Sequence, residues 1–202
     1  MTQNIRRFAP AAARNRGPIL EVLQRYLPAS GLVLEVASGT GEHCAYFAAR
    51  LSSELIFQPS DADANARSSI DAWVAVEGLA NVRPALDLDA CSGIWPIRQA
   101  GALLCINMIH ISPWAATEGL IAGAERILPT GGVLFLYGPY RRNGEHTAES
   151  NAAFDRDLRE RNPHWGVRDL EAVTNLAVEH GFAPVCIEPM PANNLSVIFR
   201  KI

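Results

Sequence analysis

The sequence predicts an α/β fold in which a mostly parallel sheet is covered by helices on both faces, and three observations predict it. Short apolar runs of buried-strand type alternate with helical patterns at the spacing of strand–helix–strand units. A glycine turn, Ala37-Ser38-Gly39-Thr40-Gly41, carries the first of these runs into a helix. The last two runs are joined only by a short Pro/Asn-rich turn, the pattern of an antiparallel hairpin. With 202 residues, 49% hydrophobic and 19% charged, the chain has the length and composition of one domain spanning 1–202.

Residues 1–14 carry little periodicity and read as an irregular N-terminal arm. Asn15-Arg16-Gly17-Pro18 has helix-start chemistry, with Pro18 in the first turn, and Ile19, Leu20, Val22, Leu23, Tyr26 and Leu27 follow at helical spacing. Pro28–Gly31 breaks that helix, and 32–37 is the first strand. A helix over 42–51 turns Ala45, Phe47, Ala48 and Leu51 inward, and a second strand over 54–59 is closed by Pro59. A helix over 62–76 leads to a short third strand at 82–87. A strong fourth strand covers 101–107, a helix 117–127, and a fifth strand 132–137. Helices at 148–161 and 168–180 precede the terminal strands 182–188 and 195–200, which completes a seven-stranded sheet.

Composition removes several functions. A net charge of −3 and a pI near 6.0 give no strong nucleic-acid signal. No run approaches the ~18 apolar residues of a membrane span. Cys44, Cys91, Cys105 and Cys186 are scattered, without metal-ligand or redox spacing, so no metal is expected. The first ten residues lack the apolar stretch of a secretory signal, and although they are Arg-rich and acid-free like a weak transit peptide, the chain reads as cytoplasmic. Lys201 is the only lysine, which excludes Schiff-base chemistry and P-loop phosphate binding.

The glycine turn is the chemical centre of the sequence. Gly39 and Gly41 lack a Cβ, so the backbone turns sharply and lets a ligand approach, and the following helix start presents free N–H groups. Asp61 stands about twenty residues on, just past the second strand, where a carboxylate accepts from ribose hydroxyls. Asp87 closes the third strand, at the height of an adenine amino group. Two acids at successive strand ends beside a glycine turn favour a nucleoside ligand at the carboxyl edge of the sheet. NAD(H) is the competing ligand, but the third glycine of its fingerprint is Cys44 here, and a closing antiparallel hairpin is foreign to the usual dinucleotide fold.

Val33-Leu-Glu-Val-Ala-Ser-Gly-Thr-Gly41, Asp61, Asp87 and the terminal hairpin together resemble the class I S-adenosylmethionine-dependent methyltransferases, with their Rossmann-like fold. That resemblance implies that the glycine turn, through Glu35, Ala37, Ser38, Gly39 and Gly41, holds the methionine part of S-adenosylmethionine. It also implies that Asp61 holds the ribose, that Asp87 and Leu88 meet the adenine, and that Asn107 borders the cofactor. S-adenosylhomocysteine would be the product. Further segments extend the resemblance over nearly the whole chain, to methyltransferase-like proteins catalogued as a domain of unknown function: Pro10-Ala-Ala-Ala-Arg-Asn15, Ala37-Ser-Gly-Thr-Gly-Glu-His43, Gln58-Pro-Ser-Asp61, Asn107-Met-Ile-His-Ile-Ser-Pro-Trp114 and Tyr137-Gly-Pro-Tyr140.

By the same resemblance, the loop after the fourth strand faces the methyl group and its acceptor. His110 is the candidate base there and Tyr140 a second orienter of the reaction, with a structural role as the alternative for His110. The loop lacks the Asp/Asn-Pro-Pro-aromatic pattern of amino methyltransferases acting on bases or glutamine, which favours a small-molecule acceptor. Arg14, Asn15, His43, Trp114 and Arg141 are candidate substrate contacts, Trp114 by stacking and Arg14 with Asn15 from an arm folded across the cofactor. Asn151, Asp155 and Arg159 share a helix face, where Asp155 and Arg159 also suit a plain i,i+4 pair. The expected activity is methyl transfer from S-adenosylmethionine; the alternative is a non-catalytic protein that binds the cofactor.

Overall fold

A computed structural model of the protein describes residues 5–202. Parallel strands β1 (Gly31–Val36), β2 (Leu55–Asp61), β3 (Leu86–Asp87), β4 (Ala102–Ile106) and β5 (Val133–Arg142) alternate with helices α1 (Pro10–Tyr26), α2 (Glu42–Ala48), α3 (Ala64–Glu77) and α4 (Trp114–Ile127). After β5 come the two-residue strand β6 (Glu145–His146), α5 (Glu149–Arg161), the equally short β7 (Arg168–Asp169) and α6 (Leu170–Glu179). The chain closes with the hairpin β8 (Phe182–Met190) and β9 (Asn194–Lys201).

The sheet order is β3-β2-β1-β4-β5-β9-β8, with β9 inserted antiparallel between β5 and β8. The chain reverses its direction of travel between β1 and β4, and the crevice beyond their carboxyl ends is where α/β sheets of this kind hold ligands. Side-chain alternation explains why the central strands read as unbroken apolar runs. Leu103 and Cys105 of β4 enter one buried cluster with α4 and α6, while Ala102, Leu104 and Ile106 enter the other with α1 and α2.

Several boundaries differ from expectation. Of the arm predicted over 1–14, residues 1–4 lie outside the described residues, and helix begins at Pro10 rather than after Asn15. Pro10 presets the first turn and three good helix formers, Ala11 to Ala13, propagate it, so Pro18 lies inside the helix. β2 continues through Pro59, which pairs with Glu35, to Asp61. The third strand shrinks to Leu86–Asp87 plus one bridge from Val82 to Phe57, because Pro84 interrupts it. β5 runs five residues beyond Tyr137. β4 has ended opposite Tyr137, so Pro139 needs no N–H on that side before β7 pairs at Tyr140.

Candidate active site

The carboxyl ends of β1 and β2 are tied together through the glycine turn. Ser38 N–H donates to the Ser60 carbonyl at 2.8 Å, and Ser60 N–H donates back to Ser38 Oγ at 3.2 Å. Asp61 accepts from Gly39 N–H at 2.9 Å with one oxygen and from Asp63 N–H at 2.9 Å with the other. Gly39 and Gly41 have φ of +59° and +89°, which L side chains rarely adopt. At Gly41 there is a steric reason as well, since a Cβ would stand 2.7 Å from Ile70 Cα.

This edge opens into two lobes that meet at Ala37, Asp61 and Met108. The first, about 350 Å³, is lined by Glu35, Ser38 to Thr40, His43 and Asn107, with Ala9, Ala11 and Ala12 across it. The second, about 320 Å³, is lined by Leu88, Asp89, Ala90 and Cys91 on one side and Pro113 and Ala116 on the other. A lobe that carries Glu35, Ser38 and Thr40, joined at the Asp61 carboxylate to a second lobe lined by Leu88, Ala90 and Pro113, suits an adenosyl group with a polar tail. Glu35 sharpens that fit. It is 2% exposed, its Oε2 has no partner among the described residues, and burial together with the nearby Asp61 carboxylate lifts its pKa to about 7. A buried acid with one oxygen unpartnered among the described residues, beside an open lobe, is ready for a cationic group.

The predicted residues divide. Glu35, Ala37, Ser38, Gly39, His43, Asp61, Leu88 and Asn107 border the cleft, Asn107 at a left-handed φ of +62° where β4 ends. Gly41 shapes the turn from behind it. Asp87 is corrected: its side chain is 73% exposed and pairs with Arg67 at 3.2 Å, outside both lobes. Asp89, two residues on, lines the second lobe instead. The repeated Asp-Leu-Asp offered two acids, and pattern alone does not say which follows the end of a strand that is only two residues long.

His110 and Tyr140 are also corrected, because both are completely buried and line neither lobe. The His110 ring packs edge-on against Tyr140 with centroids 5.0 Å apart, and its Nδ1 accepts from Arg168 N–H at 3.2 Å. Its Nε2 lies against Gly138, where a Cβ would come within 2.4 Å. Trp114 opens α4 against the core, 5.8 Å from the Arg168 guanidinium. Arg14 is exposed on α1, and Arg141 pairs across β5 with His146 and Asp169. Asp155 accepts from Val167 N–H at 2.6 Å and from Arg159 at 3.0 Å, which fastens α5 to the segment before β7. These polar residues hold the fold around β5 rather than facing the cleft.

Burial drives the His110 pKa down to about 3, against about 6.5 for a free imidazole. The unfolded chain therefore binds a proton between those values that the folded chain refuses, and stability falls as pH falls from about 6.5 to 3. A slope of up to ~1.4 kcal/mol per pH unit follows from this one group. Urea titrations across that window should show His110→Leu losing less stability per pH unit than the parent chain.

Among the described residues no cluster of His, Cys, Asp and Glu suits a metal ion, and no helix is long and apolar enough to cross a membrane.

The chain belongs to the family described as protein of unknown function (DUF938), whose model matches residues 6–201. Among solved structures it is similar to an O-methyltransferase family protein from Burkholderia thailandensis, with a TM-score of 0.79 and 16% identity over 95% of this chain and 57% of that one. It is similar to an O-methyltransferase family 2 protein from Planctomyces limnophilus in complex with apigenin, with a TM-score of 0.80 and 17% identity over 95% and 58%. CalO1, a methyltransferase in calicheamicin biosynthesis in its SAH-bound form, matches with a TM-score of 0.74 and 14% identity over 95% and 54%. The chain thus spans little more than half the length of these proteins. The likeness establishes the Rossmann-like class I methyltransferase fold.

Proposed function

We propose that this member of the DUF938 family is an S-adenosylmethionine-dependent methyltransferase acting on an oxygen of a small molecule. The observation that carries the reading is the two-lobed cleft joined at Asp61, with the buried Glu35, whose Oε2 has no partner among the described residues, in its first lobe. Ser38 to Thr40 and Glu35 would hold the amino-acid end of the cofactor, Asp61 its ribose, and Leu88, Asp89 and Ala90 its adenine. When bound, S-adenosylmethionine supplies a methyl group already activated on a sulfonium, so the protein's work is alignment and exclusion of water. The Ala9-Ala11-Ala12 wall provides a dry boundary for that alignment. The O-methyltransferase names of two similar structures support oxygen as the acceptor atom.

Glu35 gives this reading a binding signature. A carboxyl with a pKa near 7 is about half protonated at pH 7 and must ionise to meet an ammonium group. Calorimetry of S-adenosylhomocysteine in buffers of different ionisation enthalpy should therefore record release of about half a proton at pH 7 and almost none at pH 8.5. Glu35→Gln should abolish the release. Catalysis itself is tested with methyl-labelled S-adenosylmethionine and a low-mass metabolite extract. Label appearing in a neutral product while S-adenosylhomocysteine accumulates supports the enzyme. Tight binding without transfer to any fraction identifies a non-catalytic cofactor-binding protein.

A further inference from the structure

His43 lines the first lobe beside the residues proposed to hold the cofactor. It stands in the first turn of α2, directly after the glycine turn, with its ring stacked on Phe47 at 5.6 Å and 28°. Its Nε2 lies 2.8 Å from Asn15 Oδ1. With the Asn15 carbonyl oxygen as the acceptor of this contact, Nε2 donates and Nδ1 keeps its lone pair. No described residue bonds Nδ1, and it is not sealed from open space. The Asn15 side chain also hydrogen-bonds the buried Tyr137 hydroxyl, which ties α1 to β5 beside the imidazole. Burial and the neighbouring Arg16 hold the imidazole neutral down to about pH 4. The carboxylates Glu35 and Asp61 line the same lobe, and among the described residues no arginine or lysine does.

The geometry points to His43 as the acceptor-side catalytic residue of the proposed reaction, with Asn15 as its positioning residue and an uncharged hydroxyl compound as the acceptor. This inference rests on the methyltransferase reading. In the step, a lone pair of the acceptor oxygen forms the new bond to the methyl carbon as the carbon–sulfur bond breaks, and that bonding pair returns to sulfur as a neutral thioether. The hydroxyl proton passes to His43 Nδ1 and then to water. A weakly basic imidazole suffices, because an alkylated hydroxyl is far more acidic than an imidazolium. The adjacent carboxylates and the lack of a lining cation turn acidic acceptors away.

The test uses the full chain loaded with S-adenosylhomocysteine and carrying ¹⁵N-labelled histidine, with His43 assigned by its loss in His43→Phe. The expected spectrum shows Nε2 protonated and Nδ1 bare from pH 6 to 8, and phenol moves the Nδ1 resonance upfield while benzoate and phenyl phosphate leave it in place. In Asn15→Leu the two tautomers should mix. Transfer of labelled methyl to the low-mass extract should fall at least a hundredfold in His43→Phe, while S-adenosylhomocysteine affinity stays within threefold of the parent. An Nδ1 resonance indifferent to phenol, or a His43→Phe protein that transfers within threefold of the parent, overturns the inference. Failure of the parent chain to bind S-adenosylhomocysteine is a different result: it removes the methyltransferase reading and this inference with it.

Discussion

Asp61→Ala should weaken S-adenosylhomocysteine binding about a hundredfold while leaving the fold intact. The carboxylate accepts from Gly39 N–H and Asp63 N–H, so it holds the glycine turn against the end of β2 at the point where the two lobes meet. Hydrogen bonds to a charged group contribute about 1.5–3 kcal/mol each, and every 1.4 kcal/mol is tenfold in affinity. Losing the anchor of the turn together with a ribose acceptor therefore corresponds to roughly 3 kcal/mol. Asp61 is half-exposed at the end of its strand, away from the apolar clusters, so thermal stability should change by only a few degrees. Calorimetry beside a melting curve separates the two effects. Asp87→Ala is the informative contrast: its carboxylate faces Arg67 outside the cleft, and binding should be unchanged.

Gly41→Val should be the most damaging single change to the site's scaffold. The residue combines a φ of +89° with a backbone neighbour, Ile70 Cα, 2.7 Å from where a Cβ would stand. A left-handed conformation costs an L residue roughly 1–2 kcal/mol, more when it is β-branched, and forcing atoms into a packed region adds about 1–3. Because α3 cannot recede without opening the core at the fully buried Ile70, the two costs add. A loss of about 3–5 kcal/mol would lower the melting temperature by roughly 10–15 °C in a chain of this length. Gly39→Ala, where a Cβ meets nothing within 4 Å, should lose only about 1 kcal/mol, from its φ of +59°. Differential scanning calorimetry of the two variants checks the order.

The layout of the sheet was legible because its central strands are buried on both faces. Val33, Leu34, Val36 and Ala102 to Ile106 supply two cores from the same strands, and such apolar runs stand out in any sequence. The edges were less legible. β3 has two residues, and its identity depends on pairing with Ser60 and Asp61, which no local pattern encodes. For the same reason Asp87 and Asp89 could not be told apart in advance. The glycine turn with Asp61 was legible because a left-handed turn, a helix start and a carboxylate about twenty residues on leave a joint pattern.

The polar residues around β5 misled for a physical reason. Histidine and tyrosine after a strand suit either catalysis or core packing, and only the fold shows that Gly138 brings the His110 ring against the sheet while Arg168 N–H occupies its Nδ1. The extension of β5 past Pro139 turned an expected substrate loop into paired structure. His43 gave the opposite lesson. Its place beside the cleft follows from the glycine turn, but its partner depends on α1 starting at Pro10, so that Asn15 lies within a helix and reaches the imidazole.

The central claim is that the cleft between β1 and β4 binds an adenosyl-sulfur cofactor, and titration calorimetry of the full chain with S-adenosylhomocysteine and, separately, with NADH tests it most directly. One S-adenosylhomocysteine per chain is expected, with a Kd in the micromolar range, on the order of −8 kcal/mol, and no heat of binding for NADH. Saturable binding of NADH with none of S-adenosylhomocysteine would contradict it.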